Sequence, residues 1–138
     1  MVPNQLTPRQ VVADLRAAAL SSGRYDLMTT EYAYPLTVYI DGEPLLLQGP
    51  ADSWAFYQTF HSAMRADGFD RMTAKVTAED IPRGGRFRVW TEWFGEGQGQ
   101  AHARTRIAAT ICYCSVVSYG VLTEMIEFTA VSLPLLTT

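Results

Sequence analysis

The chain has few of the residues from which metal, redox or nucleophilic chemistry is commonly built. Its 138 residues include only two cysteines and two histidines. Cys112 and Cys114 sit in the run Ile-Cys-Tyr-Cys-Ser. On a strand, residues two apart share a face, with Cα atoms about 6.6 Å apart and Cβ vectors running parallel. A disulfide there would need a buckled backbone, so two reduced, packed thiols are expected. His61 and His102 have no ligand spacing between them, so neither a metal nor a cofactor is expected. Lysine is nearly absent: Lys75 stands alone against ten arginines. A net charge of −3 and a pI near 5.3 withhold the positive field that nucleic-acid binding needs. The N-terminal run Met-Val-Pro-Asn-Gln-Leu-Thr-Pro-Arg lacks a basic patch followed by an apolar stretch, so no signal peptide is expected. With reduced thiols, that places the chain in the cytoplasm. The uncharged run from Ile107 to Thr123 is short for a membrane helix and rich in β-branched and aromatic residues. It reads as two buried strands meeting near Ser118-Tyr119-Gly120, not as a span.

What is present is a normal apolar content, 48%, with no linker, repeat or low-complexity block. One domain over residues 1–138 is expected. Thr7-Pro8 caps and opens a first helix, whose apolar stripe reads Val11, Val12, Leu15, Ala18 and Ala19, with Gly23 as its stop. A short second helix would start near Asp26, present Leu27, Met28 and Tyr32, and end at Pro35. A strand from Leu36 to Ile40, the turn Asp41-Gly42 and a return through Leu45-Leu46-Leu47 form a hairpin. After Gly49-Pro50, Asp52 or Ser53 caps a third helix running to Ala66, with the stripe Trp54, Tyr57, Phe60, His61 and Met64 and with Phe56 beside it. Strands then follow over Met72–Ile81, Arg86–Phe94, Ala101–Val116 and Val121–Leu133, with Gly95 to Gly99 as a turn. Helices first and long antiparallel strands afterwards predict an α+β domain.

The order of these elements, together with three short motifs, resembles the NTF2-like superfamily, including its SnoaL-like and ketosteroid-isomerase-like branches. Ser22-Gly23-Arg24-Tyr25-Asp26-Leu27 resembles the family's helix-to-helix break, Gly49 through Tyr57 the start of its third helix, and Gly120 through Phe128 its final strand. The resemblance runs from Thr7 to Val131. It implies a cystatin-like cone: a curved, mainly antiparallel sheet wrapped around three helices, with an apolar pocket at the wide end and homodimers formed across the sheet.

Function does not follow from such a fold. The isomerase's first-strand carboxylate would fall at Tyr39-Ile40, its first-helix tyrosine near Arg16 and its fifth-strand acid near Cys112 or Tyr113; only the third-helix tyrosine, Tyr57, is matched. The Arg-x-Asp pair of the family's epoxide hydrolases is also missing. Asp41 reads as a hairpin residue. The final-strand motif implies that Thr123, Met125, Glu127 and Thr129 face the cavity. Opposite them would lie Phe87, Val89, Thr91 and Trp93, with Tyr113 from the fifth strand and Leu15, Ala19, Tyr57, Phe60 or His61 from the helices.

In an apolar cone the Glu127 carboxyl would be desolvated into a general acid or base; at the strand's open end it would instead pair with an arginine or stay hydrated. His61 reads as a base or as a packing residue, and Tyr57 as a donor to a ligand carbonyl or as packing. Arg83, Arg86, Arg88, Arg104 and Arg106 form a stripe with Glu79, Glu92 and Glu124 as cross-strand partners, or an anion-binding surface.

Three readings stay open. One is a cytoplasmic homodimeric cone enclosing a small, mainly apolar molecule, lined by Phe60, Phe87, Val89, Thr91, Trp93, Tyr113 and Met125. Another is a SnoaL-like isomerase, cyclase or dehydratase using Glu127, His61 and Tyr57. The third is an assembly module whose cone is filled by its own side chains. None involves nucleic acid or membrane.

Overall fold

The computed structural model describes residues 7–98 and 103–132; Gly99, Ala101, His102 and Leu133 of the sequence reading lie outside the described residues. Helix α1 spans Pro8–Ser21, with the Gln10 backbone N–H donating to the Thr7 hydroxyl at 3.1 Å and proline in the first turn. The helix is rotated relative to the expected stripe. Ala13, Arg16, Ala17 and Leu20 are buried, spaced i, i+3, i+4, i+7, whereas Val11 and Leu15 remain 43% and 66% exposed. An arginine in the middle of the true inward stripe had masked it.

Helix α2 is a single turn, Tyr25–Met28. Glu31 then takes a positive φ of 72°, ending the helical path. Tyr32 and Pro35, expected on or at the end of that helix, belong instead to strand β1, Tyr32–Ile40. Its aromatic and β-branched run suits a strand. Asp41 and Gly42 form the two-residue hairpin turn, both at positive φ, joining β1 to β2, Glu43–Leu47. Helix α3, Pro50–Ala66, starts from Gly49 without a side-chain cap. Asp52 accepts from the Gln48 N–H, and Ser53 is buried and accepts from the Tyr34 hydroxyl at 3.0 Å.

Strands β3 (Arg71–Glu79), β4 (Arg86–Glu96), β5 (Thr105–Val117) and β6 (Gly120–Thr129) complete a six-stranded sheet of order β2-β1-β6-β5-β4-β3. Among the described residues only β1 and β6 pair in parallel. The architecture is α+β, with the helices on the concave face of the sheet. Gln10 ties α1 to β3: its side-chain amide donates to the Ala74 carbonyl and accepts from the Val76 N–H. Gly95 lets Phe69 pack against β4, since a Cβ there would lie 2.7 Å from the ring.

One irregularity governs the site. Tyr113 and Cys114 of β5 face Met125 and Thr123 of β6, leaving Glu124 as an extra, bulged residue. A single inserted residue reverses the alternation of everything beyond it. Thr123 therefore points inward, and so do Ile126 and Phe128, while Met125 and Glu127 turn to the outer face. Among the described residues no helix is long and apolar enough to cross a membrane.

Candidate functional site

The concave face meets α1 and α3 around a core of Leu20, Tyr57, Phe60, Met64, Ile126 and Phe128. Two small voids among the described residues lie there. The first, about 20 Å³, is lined by Arg16, Tyr32, Tyr57, Phe60, Trp93 and Phe128 among others. The second, also about 20 Å³, lies between α1 and the sheet against Arg16, Val89, Thr91, Trp93, Cys112 and Cys114. Each has room for about one water molecule. Arg16, Trp93 and Cys112 line both.

Arg16 is 8% exposed. Its Nη2 donates to the Thr30 carbonyl at 2.7 Å and lies 3.6 Å from Glu31 Oε1, which Arg9 approaches more closely, at 3.0 Å. The guanidinium carbon sits 5.4 Å from the centre of the Tyr32 ring. Its Nε has no hydrogen-bond partner. The Tyr32 and Tyr57 hydroxyls bond each other, and the Trp93 indole donates to the Thr110 hydroxyl at 2.8 Å.

Burial opposes the Arg16 charge, but Tyr32, Cys112, Tyr57 and Glu31 outweigh it and raise its pKa further. Burial pushes the Tyr32 and Tyr57 phenols well up, and the Cys112 thiol likewise, against the pull of Arg16. Burial also pushes Cys114 up to about 11. At neutral pH the ionisable groups around the first void are thus a fixed cation and protonated donors. None is poised to take a proton.

The structure brings together Tyr57, Phe60 and Trp93 at the first void, and Val89, Thr91 and Trp93 at the second. Phe87 shares their strand face but lines an open cleft at the end of the sheet. Glu127 is corrected: it lies on the outer face, where its Oε1 accepts from the Tyr113 hydroxyl at 2.5 Å. That bond, helped by partial burial, raises the Tyr113 pKa. Tyr113 and Met125 are likewise outside, in the same open cleft. His61 leaves the site too. It is half-buried on α3, with Nδ1 2.9 Å from the Tyr25 hydroxyl, and burial followed by the Arg65 charge lowers its pKa.

The arginine stripe is only partly paired. Arg88 binds Asp80 at 2.7 Å, Arg106 binds Glu92 at 3.1 Å, and Arg104 stacks on Phe94. Among the described residues Glu79 and Glu124 pair with no arginine, and Arg83 and Arg86 form no ion pair. No group of three or more His, Cys, Asp or Glu among them could hold a metal.

Arg16 and Tyr32 are among the lining residues that sequence reading missed. The available signal was the alternative helical stripe Ala13-Arg16-Ala17-Leu20, in which alanines leave room for one long side chain.

No protein-family model matches the chain, and no curated protein matches it in sequence. Solved structures do resemble it. A domain of unknown function with a cystatin-like fold from Nostoc punctiforme superposes with a TM-score of 0.70 at 13% identity, over 94% of this chain and 78% of that one. An NTF2-like protein of unknown function from Shewanella oneidensis gives 0.63 at 11% identity, over 86% and 93%. The chain has an NTF2-like fold. A further NTF2-like protein with a cystatin-like fold, from Novosphingobium aromaticivorans, agrees with a TM-score of 0.64 at 13% identity, covering 87% of this chain and 77% of that one. The voids described above are therefore the interior of an NTF2-like cone, and Arg16 stands in its middle.

Proposed function

We propose that this NTF2-like chain is a homodimeric binding protein that encloses a small, mainly apolar molecule in its cone, without proton-transfer chemistry by Glu127. The observation that carries the reading is the first void. Leu20, Phe60, Ile126 and Phe128 supply apolar walls, while the Tyr32–Tyr57 hydroxyl pair and Arg16 converge on it. An apolar hollow with a few convergent polar groups is the usual form of a small-molecule site. The resting void is water-sized, so an occupant enters by displacing the unbranched side chains Met28 and Met72 that line it. The dimer rests on the outer face of the sheet, which no helix among the described residues covers. Tyr39, Trp90, Phe94, Ile111, Tyr113 and Met125 are half-buried there. The two buried free thiols suit a reducing, cytoplasmic setting.

The small volume favours a second reading, an assembly module whose cone is already full. One experiment separates them. Small neutral probes such as toluene and cyclohexanone are titrated into labelled protein while the Trp93 indole N–H signal is followed, and sedimentation equilibrium is run at micromolar concentration. Saturable shifts at Trp93 in a dimer support the binding reading. An unresponsive interior in a larger closed assembly supports the second, and a monomer removes the dimer.

A further inference from the structure

Resting on the binding reading above, we infer that the cone is selective for a small monocarboxylate, whose acid group docks on Arg16 while its apolar part packs against Phe60 and Phe128. A buried guanidinium is costly unless its charge and its N–H groups are met. Here they are met incompletely. Arg9 and Arg16 share one carboxylate, Glu31, and Arg9 holds it at 3.0 Å against 3.6 Å for Arg16, so the cluster keeps one positive charge in excess. Arg16 Nε has no partner although the side chain is more than nine-tenths buried.

The neighbouring hydroxyls have the same surplus of donors. Tyr32 and Tyr57 bring two O–H groups to one shared bond, which leaves the second hydrogen without an acceptor among the described residues. A void bordered by a cation and a spare phenolic hydrogen calls for an acceptor carrying negative charge. A carboxylate supplies two oxygens with about four lone-pair directions, and its hydrogen bonds to guanidinium are among the stronger ones in proteins. A neutral carbonyl would satisfy the phenol and leave the charge unmet. A dicarboxylate would bring a second charge against Phe60 and Phe128, with no cation there to meet it. The void as it stands holds about one water, so the apolar part, a short chain or one ring, enters only where Met28 and Met72 give way.

The test is calorimetry with the full chain, using butyrate and benzoate as probes against their uncharged amides, butyramide and benzamide. Binding of the acids at least tenfold tighter than the amides is expected, together with a loss of tenfold or more in Arg16→Met and a smaller loss in Tyr57→Phe. Equal binding of acids and amides would overturn the carboxylate assignment while leaving the cone a binding site. Acid binding that survives Arg16→Met but weakens in Arg83→Gln/Arg86→Gln would also overturn it, placing the anion in the outer cleft. No binding of acid, amide or toluene would remove the underlying reading as well. If Arg16→Met fails to fold, the acid-against-amide comparison in the unaltered protein still decides.

Discussion

Strand β6 presents two faces with opposite fates. Inward, Ile126 and Phe128 are 2% and 4% exposed and close the cone. Outward, Met125 and Glu127 are half-buried on a sheet face that no described helix covers. Each face also has a tyrosine hydroxyl bonded to a neighbour: Tyr32 with Tyr57 inside, Tyr113 with Glu127 outside. The inner pair borders the closed void, with Tyr57 only 2% exposed, so its spare hydrogen faces the cone interior and not bulk solvent. The outer pair has access to water. The contrast shows that the same chemical groups end in the closed interior or on the open surface according to the sheet face they fall on.

The contrast is broken most directly by truncating the two faces of β6. Ile126→Ala should lower the free energy of unfolding by about 2–5 kcal/mol, the range for deleting a buried branched side chain. Met125→Ala should cost about 1 kcal/mol or less when urea unfolding is followed in dilute protein. Equal costs would mean that the faces have been assigned wrongly. A smaller effect separates the hydroxyl pairs. Tyr57→Phe strands the buried Tyr32 hydroxyl and should cost about 1–3 kcal/mol. Tyr113→Phe leaves Glu127 to water and should cost less than about 1 kcal/mol by the same unfolding measurement.

The smallest effect concerns His61, on the rim of this contrast. Burial lowers its pKa in the folded chain, below the unfolded value of about 6.5. The unfolded state therefore binds more protons just below that pH, and stability is lost as pH falls through the folded value. His61→Gln, which can keep a hydrogen bond to Tyr25, should flatten the fall of the melting temperature as pH drops below about 6.5. An unchanged slope would assign that loss to other groups.

Much of the fold was legible from local signals. Thr7-Pro8, Asp41-Gly42 and Gly49-Pro50 each mark a real boundary. The alternation of Val89, Thr91 and Trp93 points to the interior as read. Of the residues singled out from the sequence, Tyr57, Phe60 and Trp93 line the first void. Glu127 and Met125 lie on the face opposite to the one expected, Tyr113 of β5 lies outside the voids, and Arg16 went unrecognised. In β6 the alternation itself was sound, but the bulge at Glu124 shifted its phase midway. In α1 the obvious apolar residues Val11 and Leu15 lie outside, and an arginine lies within.

The sequence by itself determined the order of the elements, the turns between them and an α+β class, because caps, positive-φ turn residues and the two periodicities act over a few residues. Only the tertiary structure decided what occupies the cone. The phase of β6 depends on its pairing with both β1 and β5, and that pairing sets where the bulge falls and which half of the strand faces the core. The burial of Arg16 depends on Thr30, Glu31 and Tyr32, which reach it only after the chain has turned through α2. A charge is tolerated inside a protein when distant residues supply its partners, and that arrangement exists only in three dimensions.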